Sequence, residues 1–189
     1  MRMDPNDAQK YPKTIQFLTT IERRVKLQPT VLNAFYEACE ADEQNNDLKV
    51  ARSFAEKALR WGAEPLISVY PGMIEVEKGS AACGYMNTLG VPLGKKAHID
   101  ITSFYFDAFE FGFDVDPNRA GNRLMKTVLH ELVHWVRDQA QASDRVLDGG
   151  HFRGRWVEAG EFFEEKAYGQ SRVLCTDDEI WAAIFSRRT

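Results

Sequence analysis

Apolar positions along the chain follow two periods, and the change between them falls near Gly62. Up to that residue the spacing is helical. Thr14 to Leu27 is periodic, Thr30 after Pro29 is placed to cap Val31 to Ala41, and Asp47 to cap Leu48 to Trp61. Strand signals follow at Leu66 to Tyr70 and, across a turn at Pro71-Gly72, at Met73 to Glu77. His98 to Phe106 alternates and is rich in β-branched and aromatic residues, which predicts a third strand. Gly79 to Gly94 reads as a loop with room for one short strand.

The helical period then returns. From Asn122 to Gln139, Leu124, Met125, Val128, Leu129, Leu132, Val133 and Val136 recur on one side, while Pro117 and Gly121 disfavour an earlier start. Ser143 and Asp144 open a polar loop. Trp156 to Tyr168 predicts another helix, stopped by Gly169. Thr176-Asp177-Asp178-Glu179 is a capping box for a last amphipathic helix through Phe185. The expected fold is α+β, with a helical region over residues 1–62 and the strands and later helices over 63–189, in one compact unit.

Composition narrows the partners. The net charge of −4 gives no footprint for nucleic acid or an anionic membrane surface. No apolar run reaches the length of a membrane span, and the polar, acidic start Met1 to Asp7 carries no signal peptide, so synthesis in the cytoplasm is expected. Cys39, Cys83 and Cys175 are too widely spaced for a metal cluster or a disulfide framework.

The chemistry concentrates in His130-Glu131-Leu132-Val133-His134. Residues four apart on a helix share a face, so His130 and His134 present two imidazoles to one point, a spacing suited to one Zn²⁺. Glu131 projects beside that point, where it can take a proton from water activated by the metal. A third ligand is expected on the helix after Trp156. Projected at about 100° per residue, Glu164 falls within the apolar face of Trp156, Gly160, Phe163 and Ala167. Glu161 lies at its margin, and Glu158 and Glu165 fall outside, as solvated carboxylates. A carboxylate in an apolar stripe needs a partner or a metal, which favours Glu164. Asp138 is either a brace for His134 or a solvated partner of Arg137. Tyr168 is either an oxyanion donor or half-buried packing, and His151, in the glycine-rich loop from Asp148 to Gly154, has no assigned role.

The H-E-x-x-H run resembles the zincin metallopeptidases, and Glu164-x-x-Ala167 is similar to the ligand helix of their gluzincin branch. The ending Glu165-Lys166-Ala167-Tyr168-Gly169 also resembles the aspzincin ending, with Glu for Asp and without the preceding Gly-Thr; that likeness would move the ligand to Glu165. The zincin resemblance implies a motif helix on a small twisted sheet, with His98 to Phe106 as the edge that pairs with extended substrate. Together with the helix Phe163-Glu164-Glu165-Lys166-Ala167-Tyr168-Gly169, the motif resembles metallopeptidase toxin domains of bacterial secreted effectors, over roughly residues 95 to 170. That likeness implies zinc, a protein substrate in a neighbouring cell, type VI-like delivery through an adaptor, and a cognate immunity protein. A cytosolic housekeeping or regulatory zinc peptidase, and a non-catalytic zinc-stabilised binding module, are the other readings. Glu131 argues against the last, since a purely structural site has no use for a general base.

Overall fold

The computed structural model describes residues 1–41, 48–71, 74–77, 80–82, 84–85, 98–112, 117–147 and 156–169. It opens with a short strand β1 (Arg2–Met3) and four helices: α1 (Pro5–Lys10), α2 (Pro12–Leu18), α3 (Ile21–Lys26) and α4 (Pro29–Glu40). Three of the four begin on proline, whose fixed φ and missing N–H suit a first helical position. The helix expected over Thr14 to Leu27 is two helices. At the break, the hydroxyls of Thr19 and Thr20 donate to the carbonyls of Gln16 (2.8 Å) and Phe17 (2.7 Å), competing with the helical ladder. α4 starts one residue ahead of Thr30, and no side chain caps it.

Beyond α5 (Leu48–Leu59) lie β2 (Leu66–Tyr70), β3 (Ile74–Glu77), β4 (Ser80–Ala82), β5 (Gly84–Tyr85) and β6 (His98–Thr102). β3 and β4 pair antiparallel as a separate ribbon. The main sheet has the order β1-β2-β6-β5, with β1, β2 and β6 parallel and β5 antiparallel to β6. This corrects the expectation for His98 to Phe106. The strand stops at Thr102 and lies inside the sheet, so among the described residues β5 forms that edge. Thr102 Oγ1 accepts from Phe104 N and opens α6 (Ser103–Phe111), which Gly112 closes at φ 68°. The aromatic residues after Thr102 therefore take helical spacing, with Tyr105 and Phe106 buried in the core.

α7 (Pro117–Gln139) carries the motif and packs on β6 and β5. It starts five residues before the expected Asn122, with Pro117 in its first position. Gly121 lies inside it as a packing residue: a Cβ there would stand 3.3 Å from the ring of Phe109 and 3.4 Å from that of Phe17. The described chain ends with β7 (Arg145–Leu147) paired antiparallel to β8 (Trp156–Glu158), then α8 (Ala159–Tyr168). Met73, Asp47, His151, Cys83, Cys175 and the helix expected after Thr176 lie outside the described residues.

One apolar core joins the early helices to the rest. α4 lies along α8 and α7, and α5 packs on α7. Phe35 of α4 meets Phe163 of α8 edge to face at 6.1 Å, and Phe54 of α5 meets Trp135 of α7 in the same way at 6.2 Å. Such pairs add about 0.5–1.5 kcal/mol beyond the area they bury. The motif helix is thus held from both sides by elements that precede it in sequence. Cys39 is buried in this core, and burial raises its thiol pKa well above the ordinary value.

Candidate metal centre

All the apolar residues expected on the motif helix are buried, from Leu124 through Val136. That burial fixes the roll of α7 and leaves His130 and His134 at the margin of the core, with side chains 20% and 11% exposed. Their rings stand 4.9 Å apart, and the two Nε2 atoms approach to 3.2 Å. Glu158 closes the group: Oε2 is 3.6 Å from His130 Nε2, and Oε1 meets His134 Nε2 directly. Among the described residues, His130, His134 and Glu158 are the group whose donor atoms converge as metal ligands would.

The spacing suits a small divalent cation. Two nitrogens each about 2.0–2.1 Å from a tetrahedral zinc stand about 3.3 Å from one another. The two edges that meet at His130 Nε2, 3.2 Å and 3.6 Å, bracket that length, while His134 Nε2 and Glu158 Oε1 stand closer and would move apart around an ion. The outer nitrogens are also committed. His130 Nδ1 donates to Glu164 Oε1 at 2.8 Å, and His134 Nδ1 donates to Asp144 Oδ1 at 2.5 Å. A carboxylate can only accept, so each Nδ1 carries its proton, and Nε2 is the atom each ring would offer a metal once its own proton has left.

Glu164 is therefore placed differently from the sequence expectation. It is buried, as the apolar stripe requires, but it braces His130 from outside and pairs with Lys126 Nζ at 3.4 Å. Glu158, read as a solvated carboxylate, faces both histidines. The reason is local. The helix begins at Ala159, so Glu158 is its cap in extended conformation (φ −68°, ψ 141°), and a projection that started at Trp156 gave it the wrong direction. Its carboxylate accepts from Gly160 N at 2.8 Å and Glu161 N at 3.0 Å, the usual work of an N-cap. Glu161 and Glu165 stand outside the converging group.

Glu131 is buried next to the histidines, with Oε1 4.0 Å from His130 Nε2. Burial raises its pKa, and the two imidazoles work against that rise. Burial disfavours charge on His130 as well, yet Glu158, Glu164 and Glu131 outweigh it and push the pKa up to about 10. His134 is raised in the same way by Glu158 and Asp144. A metal that bound here would have to displace the protons that these carboxylates favour on the imidazoles.

Other expected residues lie further out. Asp144, not Asp138, braces His134. Asp138 is buried and accepts from the side chain of Gln139. Tyr168 is at the far end of α8, its ring 5.9 Å from Phe163 and 5.4 Å from the Lys126 ammonium. Gly160 has a role its sequence position only hinted at, since a Cβ there would stand 2.5 Å from the His130 ring. Glu158 and Asp144 are the residues the structure brings to the histidines without a sequence expectation behind them. A capping carboxylate just ahead of Gly160 was the available signal for the first.

The family model described as metallopeptidase toxin 3 matches residues 7–169. No curated protein and no solved structure matched the chain.

Proposed function

The chain belongs to the metallopeptidase toxin 3 family, and from that premise we propose that it hydrolyses peptide bonds at a single zinc ion held by His130, His134 and Glu158. The observation that supports this most is the inward turn of both Nε2 atoms toward Glu158, each ring braced by a carboxylate at Nδ1. In this reading Glu164 orients His130 rather than serving as the third ligand.

Bound zinc would supply a Lewis acid that polarises a peptide carbonyl and acidifies a water. The chain's own residues do the rest. Glu131 accepts the water's proton and returns it to the leaving amine. Its low exposure and the neighbouring histidines suit that exchange, because burial raises proton affinity while the imidazoles hold the carboxylate ionised. Glu164 and Asp144 keep the two rings in the tautomer that leaves Nε2 free.

We further propose that the domain acts in a neighbouring bacterial cell, delivered through a type VI-like apparatus and restrained at home by an immunity protein. Family membership favours this over a housekeeping peptidase. The buried Glu131, close to the histidines, favours an enzyme over a zinc-stabilised binding module. Among the described residues no helix is long and apolar enough to cross a membrane.

The test is metal content with cleavage of a peptide library. Wild type is expected to hold about one zinc per chain, and Glu158→Ala and His134→Ala to lose it. Glu131→Gln should keep zinc while cleavage falls by at least about a hundredfold. Expression of wild type but not Glu131→Gln should arrest growth. A Glu158→Ala chain that binds zinc as wild type does would return the third position to another carboxylate.

A further inference from the structure

Arg137 is almost wholly buried, at 1% exposure, one turn beyond the metal-binding face of α7. Its guanidinium ties three backbone carbonyls from two segments. Nη1 donates to Ala38 O at 2.9 Å and Ala41 O at 2.5 Å, at the C-terminal end of α4. Nε donates to Ser143 O at 2.6 Å, and Nη2 reaches the same oxygen. The end of a helix is rich in unsatisfied carbonyls, and a planar guanidinium with five donors can bind several at once.

The residue after Ser143 is the one that touches the site. Asp144 contributes twice. Its side chain accepts from His134 Nδ1, and its main-chain oxygen accepts from Ala159 N at 2.9 Å, the residue directly after Glu158. Strand pairing continues the link, with Arg145 opposite Glu158 across β7 and β8. Asp144 is 57% exposed, so burial alone does not fix its carboxylate. What fixes it is the backbone on either side. Arg137 holds the carbonyl before it, and β7 holds the chain after it.

We propose that Arg137 and Asp144 act as paired positioning residues for the metal centre. Arg137 pins the Ser143–Asp144 bend to α4, and Asp144 sets the His134 ring and the Glu158 end of β8 from one point. Neither residue touches the reacting atoms. This rests on the zinc site proposed above, because it concerns how two of that site's ligands keep their register. It also gives α4 a function: its last turn is the fixed point against which the ligand loop is held.

The experiment measures zinc affinity of the full chain by chelator competition, and the absorption of its cobalt-substituted form, in wild type, Asp144→Asn, Arg137→Lys, the double variant and Glu37→Gln. Unfolding midpoints of the metal-free proteins are recorded alongside. Asp144→Asn and Arg137→Lys should each weaken zinc about 10–100-fold with altered cobalt absorption, as expected when a ligand loses its outer brace. Lysine keeps the charge but cannot span the three carbonyls. The double variant should be no worse than Asp144→Asn alone, because both changes act along one path. Glu37→Gln removes the exposed ion pair to Lys166 between α4 and α8, and should bind zinc as wild type does. Asp144 is exposed enough for its variant to fold, so failure of Arg137→Lys to fold leaves the Asp144→Asn measurement decisive. Zinc affinity within about twofold of wild type in Asp144→Asn, or losses that simply add in the double variant, would overturn the proposal while leaving the site intact. A wild type that binds no zinc would overturn both together.

Discussion

Glu158 shows how far a single residue's backbone can change its meaning. On a helix it would have pointed to solvent; one residue ahead of the helix it faces two imidazoles. Gly160 completes the same turn, and its variant separates two effects. Gly160→Ala would ordinarily stabilise a helix by about 0.4–1 kcal/mol. Here the added methyl would stand 2.5 Å from the His130 ring. Zinc affinity should therefore fall while α8 itself keeps its helicity, which isothermal titration and circular dichroism would separate. Equal zinc binding in Gly160→Ala and wild type would contradict the contact. Glu164→Gln makes the companion case, because the amide oxygen still accepts from His130 Nδ1 but the charge shared with Lys126 is gone. We expect zinc to weaken by about 10–100-fold rather than vanish. His130, Glu131 and His134 were legible in the sequence because their spacing is itself the geometry. Glu158 and Asp144 were not, since they reach the site through a cap and a bend that hydrophobic periodicity does not record.

Among the elements, α2 relies on a cap that no local reading supplies. Tyr11, at its N-cap position, makes no side-chain bond to the helix. Glu110 of α6 serves instead, accepting from Lys13 N at 3.1 Å and from Thr14 N and Oγ1 at 2.8 and 3.0 Å. Glu110→Ala should cost about 1–3 kcal/mol in urea unfolding, the usual cost of leaving buried donors unpaired, with zinc binding unchanged. A loss under 0.5 kcal/mol, roughly the scale of an ordinary surface change, would count against that role. The motif helix and β2 were readable from their apolar spacing. The strand expected over His98 to Phe106 was half right, because aromatic residues favour strands by propensity yet here pack at helical spacing after a threonine cap. The break at Thr19–Thr20 was hidden for a related reason, since hydroxyl back-bonding leaves the apolar period intact.

At the scale of the whole molecule, buried charge makes stability depend on pH and on metal in opposite senses. The carboxylates around His130 push its pKa up to about 10, against an ordinary 6.5. Its contribution is fully present below pH 6.5, where both states are protonated. As pH rises from there toward 10 the unfolded chain loses the proton first, so this stability declines. With zinc the sign reverses, because ligation needs neutral imidazoles and a higher pH favours them. Urea midpoints at pH 6.5 and 9, with chelator and with zinc, should therefore diverge as pH rises. Parallel lines would mean that the histidines do not carry the charge.

The shared core also sets an order of events during synthesis. α4 and α5 leave the ribosome long before α7 and α8, against which they pack. Until then their inner faces, with Phe35 and Phe54, lack the rings they will meet. Glu158 follows His130 by 28 positions, and α8, which fixes the capping turn, comes later still. In the proposed site the ligand set therefore stays incomplete until α8 has emerged and fixed the turn that carries Glu158. If the site works as proposed, the cell that makes the protein meets a working centre only after α8 has emerged.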